Sequence, residues 1–409
     1  LRRWIAITLG IVSSIGGFFD MGEIVMTAET GARFGLSLVW VVIVGVTGII
    51  IYAEMAGRIA TLTRRPVFDA VRERLGANIG FLNLIGTLFV NILTLVAEVA
   101  GIALAFELVT SINYLLWAPL GVVVVWLIIW RVRFESMERT IGIIGLAMLV
   151  FGVAFWKLGP DWGRVAAEVF TPSPPPDEAL PTYWYFAVAL FGASMTPYEV
   201  IFYSSGAVEE NWTKEDLSVN KGTAYIGFAV GGLFAASAIG VAAMVLAPRG
   251  VTVEHLSTVA LGPAAVLGTA GLVAFIIGLF ASTFGAALEV TLSNGYAISQ
   301  FFGWRWGTRV RPKEDARFHL AMIICLIVAL ILVLTSLDPI RVTELSVVFS
   351  AVALPLTYLP VLIVANDRDY MGDRVNGPVL NVIGSIYLVL VLAASIAAVP
   401  LLIWTKMGS

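Results

Sequence analysis

The sequence predicts an all-α integral membrane protein of about eleven transmembrane helices. Three observations carry this: 59% of the 409 residues are hydrophobic, only 13% are charged, and mean hydropathy is +0.92. Soluble globular domains lie far from these values. Apolar runs of about 20 residues, bounded by charged loops, begin near Trp4, Leu36, Ile79, Leu115, Thr140, Tyr183, Lys221, Pro263, Phe318, Arg341 and Pro378.

The basic residues set the expected orientation. Assigning alternate loops to opposite sides leaves Arg33, Lys157, Arg164, Arg249, Arg341 and Lys406 on one side and the other 19 of the 25 Lys and Arg on the opposite side. That asymmetry predicts a cytoplasmic N-terminus and an extracellular C-terminus in a bacterial or archaeal plasma membrane. The start reads as a retained first span, since Asp20 and Glu23 interrupt it and no small-residue cleavage site follows. A chain beginning at Leu1 suggests trimming from a cytoplasmic tail. The lone Cys325 lies in an apolar run, and the stretch from Pro172 to Pro176 reads as a stiff extracellular connector.

Span one is broken at Asp20-Met21-Gly22-Glu23 and span six at Thr196-Pro197-Tyr198-Glu199. Breaks at membrane depth are tolerated where freed backbone lines a cavity or is buried in protein, and carboxylates there mark an ion or substrate path. The breaks lie five spans apart, so the two helices run in opposite directions, the arrangement of an inverted-repeat transporter. Carbonyls at the C-terminal end of a half-helix, where the dipole is negative, join Asp20 and Glu23 in favouring a cation and opposing an anion. No Lys or Arg falls inside a predicted span to neutralise them.

Other intramembrane carboxylates read differently. Glu54 has Arg58 at i+4 and is expected to pair with it. Glu98 in span three has either a structural place or one in the ion or proton path. Glu199 is either a further carboxylate in a vestibule or a cap for the inner half-helix. Tryptophans near span ends read as interfacial anchors, and Gly231 with Gly232 as a point of close helix packing. An enzyme is not expected, because no nucleophile with a paired base, hydrolase spacing or nucleotide loop is present.

With these residues in view, the chain resembles the natural-resistance-associated macrophage protein family of divalent-metal transporters. The resemblance runs from Gly16 to Arg58, including Glu29-Thr30-Gly31-Ala32-Arg33-Phe34-Gly35 and Ser37-Leu38-Val39-Trp40. It continues through Ala97-Glu98-Val99-Ala100-Gly101, Gly278-Leu279-Phe280-Ala281, Leu345-Ser346 to Leu354-Pro355, and Tyr370-Met371-Gly372-Asp373. It implies a LeuT-type fold with two inverted five-helix repeats, about 4–157 and 183–364, an extra helix at about 378–404, and a single transporter domain over 1–409.

Departures from the family pattern decide the expected cargo. The family's Asp-Pro-Gly-Asn is here Asp20-Met21-Gly22-Glu23, its Met-Pro-His is Thr196-Pro197-Tyr198, and its span-ten glutamine is Val347. The expected metal ligands are therefore Asp20, Glu23, the Ala193 carbonyl and Thr196, with Glu98, Glu199 and Tyr198 along the ion path. Met195 lies one position, about 100°, from Thr196 and would serve only if the backbone shifted. Oxygen ligands suit magnesium, which keeps several waters, whereas a thioether favours later metals. The nearest resemblance is thus to the magnesium-transporting branch related to this family.

Proton coupling is expected to be weak. The family's aspartate three residues before Glu98 is Leu95, and its span-six histidine is Tyr198, a phenol with an ordinary pKa near ~10. Potential alone suffices for uptake: about 100 mV gives a divalent ion roughly 4.6 kcal/mol. The expectation is an Mg2+ transporter, also carrying Mn2+, with a proton-coupled Mn2+/Fe2+ importer as the alternative and an amino-acid transporter of the same fold as the second. Expected partners are divalent metal ions and membrane lipid, with no cofactor beyond the transported ion, no nucleic acid and no obligatory protein partner.

Overall fold

The computed structural model describes residues 18–132, 134–171, 173–176 and 178–408. The start of span one from Trp4 to Gly17, and Pro172 of the proline-rich connector, lie outside the described residues. Among those described, ten helices are long and apolar enough to cross a membrane: Val39–Thr63, Ala77–Thr110, Tyr114–Arg131, Arg139–Lys157, Leu180–Glu209, Lys214–Arg249, Thr269–Phe302, Ala316–Leu334, Pro339–Ala365 and Pro378–Trp404. These are spans two to eleven. Span one contributes its second half, Met21–Phe34.

Burial separates the inner helices from the rim. In span six, 94% of the most apolar window is buried inside the protein, against 28% in span four and 22% in span eleven. Span six therefore sits at the centre. Span eleven presents Val389, Ile396 and Ile403 outward, as expected where lipid rather than protein solvates the side chain.

Span one packs between its neighbours by small residues. A Cβ on Gly231 would lie 2.5 Å from the Phe18 ring, and one on Gly232 would lie 2.6 Å from Val46. This glycine pair brings span seven against spans one and two, as its sequence suggests.

Two features depart from the sequence expectation. Span eight begins at Thr269, not near Pro263, because the short helix Leu256–Leu267 ends at Gly268, whose φ of 65° the glycine accommodates without a Cβ clash. A further short helix, Trp162–Phe170, precedes the proline-rich connector and is capped by Asp161, whose carboxylate accepts from the Gly163 and Arg164 amides. Its nine residues are too few for a hydrophobic-run search to find.

At the face that the arginine distribution assigns to the cytoplasm, Glu54 pairs with Arg58 at 3.2 Å, as the i, i+4 spacing expects. Arg58 also donates to Asn376 Oδ1 and the Arg374 carbonyl, both at 2.5 Å, tying span two to the loop between spans ten and eleven. Arg74 donates to Asp367 of that same loop.

Candidate cation site at the helix breaks

Two half-helices meet end to side in the centre of the bundle. Span six stops at Ser194 and resumes at Pro197, so Met195 and Thr196 form an irregular linker. Proline causes the break: it has no N–H to offer the Ala193 carbonyl four residues earlier, and it drives Thr196 to an extended φ/ψ of −64°/134°. Neighbouring carbonyls find side-chain donors, Gly192 from Ser350 at 3.2 Å and Met195 from Tyr358 at 3.2 Å. The Ala193 carbonyl is left without its helical amide at the negative end of that half-helix.

On span one, Asp20 caps the outer half-helix. Its Oδ1 accepts from the Glu23 amide at 2.9 Å, and its backbone is extended. The Phe19 carbonyl just before the break accepts from Ser282 of span eight. Capping thus explains why an aspartate stands at this position, and the positive end of the helix lowers the cost of a buried carboxylate there.

The two breaks are joined by direct hydrogen bonds. Tyr198 Oη donates to Asp20 Oδ2 at 3.0 Å, and Ser194 Oγ donates to Glu23 Oε1 at 2.5 Å. Glu98 reaches in from span three, its carboxylate accepting from the Met21 amide at 3.2 and 3.4 Å. Asp20, Glu23, Glu98, Ser194 and Tyr198 therefore form one continuous polar cluster. Ala193 and Thr196 flank the span-six break from which Ser194 and Tyr198 reach this cluster.

The cluster is buried and negatively endowed. Asp20 is 3% exposed, Glu23 and Glu98 are 0%, and neither Asp20 nor Glu23 takes part in an ion pair among the described residues. Glu23 Oε2 and Glu199 Oε1 are buried without a hydrogen-bond partner. Leaving a carboxylate oxygen so placed costs several kcal/mol unless a proton or cation is supplied. Each bonded oxygen of Asp20 also keeps a second lone pair. Glu199 stands in the first turn of the half-helix Pro197–Glu209, with its Oε1 buried and unpartnered.

Met195 is turned away from this cluster. Its sulfur lies against Gly48 of span two, 2.7 Å from where a Cβ there would stand, beside the Tyr387 ring of span eleven. Val347 of span ten does line the break: its Cγ1 lies 2.8 Å from the Cβ position of Gly22. A hydrocarbon therefore occupies the ground beside Gly22. No group of three or more His, Cys, Asp or Glu side chains is arranged to hold a metal ion among the described residues. Any cation here would have to complete its shell from carbonyl, hydroxyl and water.

Comparison with known proteins agrees with this architecture. The model of the natural resistance-associated macrophage protein-like family matches residues 10–400. A divalent metal cation transporter MntH from Deinococcus radiodurans is 26% identical over 97% of this chain and 89% of its own length. The crystal structure of a manganese transporter from Eremococcus coleocola superposes with a TM-score of 0.71 at 19% identity, covering 98% of this chain and 94% of that one. MhsT in complex with L-phenylalanine has a TM-score of 0.64 at 14% identity over 95% of this chain and 98% of its own, a likeness of fold that marks the LeuT-type architecture. A family match of nearly full length, with both helix breaks at the centre of that fold, makes the chain a membrane transporter of the natural resistance-associated macrophage protein-like family, which handles divalent metal ions.

Proposed function

We propose that this chain moves magnesium, and with it manganese, into the cytoplasm by alternating access of its two repeats, driven by the membrane potential with little or no proton coupling. The supporting observation is the pairing of Asp20 and Glu23 on one helical turn, beside Tyr198 at the break that holds Thr196, with the thioethers of Met195 and Met21 packed against Gly48 and Gly101. Asp20, Glu23, the Ala193 carbonyl and Thr196 offer only hard oxygen ligands. Two carboxylates with retained waters meet the needs of an ion that dehydrates reluctantly.

Coupling is read from the cluster as well. Tyr198 is a hydrogen-bond donor to Asp20, a role that a neutral phenol fills without releasing its proton near neutral pH. Glu98 is held by the Met21 amide, which both of its oxygens accept.

A second reading, a proton-coupled manganese or iron importer with an altered site, is favoured by the relatives, which are described as a divalent metal cation transporter and a manganese transporter. Manganese uptake competed by magnesium separates the two. The proposal expects magnesium to inhibit at concentrations similar to manganese. Manganese uptake indifferent to a thousandfold excess of magnesium would establish the second reading.

A further inference from the structure

The elements that build the central cluster carry a second set of oxygen groups farther along the same axis. From Glu23, Glu29 lies six residues on, a rise of about 9 Å. From Val347, Glu344 lies three residues back, about 4.5 Å, and from Ser194, Tyr185 lies nine back, about 13.5 Å. Spans six and ten run opposite to span one. All three displacements therefore point toward the face that the arginine distribution assigns to the exterior.

These groups share one environment. Glu29 and Glu344 are electrostatic neighbours, and Tyr185 is an electrostatic neighbour of both. Tyr185 is 1% exposed, yet its hydroxyl has no hydrogen-bond partner; Thr30 is 0% exposed and its hydroxyl has none either. Glu29 Oε2 is likewise unpartnered, while the Glu29 side chain as a whole is half-buried.

Nearby basic groups are already engaged. Arg33 donates to Glu178 and to the Gly408 carbonyl and stacks on Phe186 at 5.3 Å. Arg341 lies 3.9 Å from Asp338. Neither Glu29 nor Glu344 forms an ion pair among the described residues. Two carboxylates without an ion-pair partner among the described residues and one buried, unpartnered phenol, with Arg33 and Arg341 acting on the carboxylates only from their own ion pairs, favour a positive ligand.

We infer that Glu29, Glu344 and the Tyr185 hydroxyl form an outer binding site for a hydrated divalent cation, a waiting position from which the ion passes to Asp20 and Glu23. The inference rests on the proposed transport of divalent cations, but its test reads binding independently. A negatively lined approach raises the local cation concentration by about tenfold or more, so its loss raises KM with little change in maximal rate.

Manganese alone is the probe, titrated onto the purified full-length chain and onto Asp20→Asn/Glu23→Gln, in which the central pair is neutralised. The neutralised chain should still bind one manganese ion, and adding Glu29→Gln or Glu344→Gln should abolish it, whereas Glu29→Asp should keep it. Transport by Glu29→Gln alone should show a KM raised about tenfold, the local enrichment lost. Absence of residual binding in a folded Asp20→Asn/Glu23→Gln chain, or residual binding indifferent to Glu29→Gln, would overturn the outer site. Failure of the central reading has a different sign: Asp20→Asn/Glu23→Gln would then transport normally.

Discussion

Tyr198 donates its phenolic hydrogen to Asp20 across 3.0 Å, so the second half of span six, Pro197–Glu209, is latched to the residue that caps the span-one half-helix Met21–Phe34. The two residues lie 178 positions apart, on spans six and one. A charge-assisted bond of this kind contributes about 1.5–3 kcal/mol when buried. Tyr198→Phe should weaken cation affinity roughly 10- to 100-fold by that amount. Tyr198→His should restore the bond and, because imidazole titrates near pH 6.5, add to transport a pH dependence between about pH 5 and 8. Initial uptake rates at stepped pH read both.

Gly22 holds span one against span ten. A Cβ there would stand 2.8 Å from Val347 Cγ1 and 3.1 Å from Asp20 Oδ1. Gly22→Ala should therefore displace the capping aspartate and cut transport about tenfold or more, in line with an overpacking cost of about 1–3 kcal/mol. Adding Val347→Ala removes the nearer contact and should recover part of the lost rate. A double variant no better than Gly22→Ala would mean that the Asp20 contact alone sets the effect.

Thr196→Met places a thioether where only hard oxygen donors now stand. The ratio of manganese to magnesium affinity should rise severalfold, and cadmium should become a tight competitor. Met195→Ala, by contrast, removes packing against Gly48 and Tyr387 and should cost stability while leaving that ratio alone. Competition assays on the two variants distinguish ligand from packing residue.

Outside the membrane, the Arg74 guanidinium beside Asp367 holds its carboxyl below the usual carboxylate range, helped by the Asp369 amide. A folded-state pKa below the unfolded one means that the tether contributes fully above about pH 4 and is lost as pH falls through the lowered folded value. Hydrogen exchange at the 366–377 loop should be flat from pH 5 to 8 after correction for intrinsic rates. It should accelerate only below about pH 4, and Arg74→Ala should give the loosened loop at every pH.

The spans and both breaks were legible in the sequence because hydropathy and proline act locally, before any tertiary contact. Asp20 and Glu23 could be placed together for the same reason, since i and i+3 share a turn. Ser194 was not legible as the partner of Glu23: a serine at a half-helix end resembles any small packing residue until the opposing helix is in place. Nor was the unpartnered state of one Glu199 oxygen, which depends on the side chains that the fold brings around it. Gly268 escaped notice because one left-handed glycine between two apolar runs leaves hydropathy unchanged. The orientation of Met195 was posed by the sequence as a matter of backbone shift, and the packing of its sulfur on span two answers it.

The measurement that bears most directly on cargo and coupling is cation influx into proteoliposomes that hold a magnesium-sensitive dye and a pH dye under a negative-inside potential, with manganese as competitor. An uncoupled magnesium transporter gives magnesium entry without acidification, lost in Asp20→Ala and in Glu23→Ala. Entry of manganese alone, accompanied by protons, would contradict that account and make this chain a proton-coupled manganese importer in which Thr196 and Tyr198 do not set the cargo.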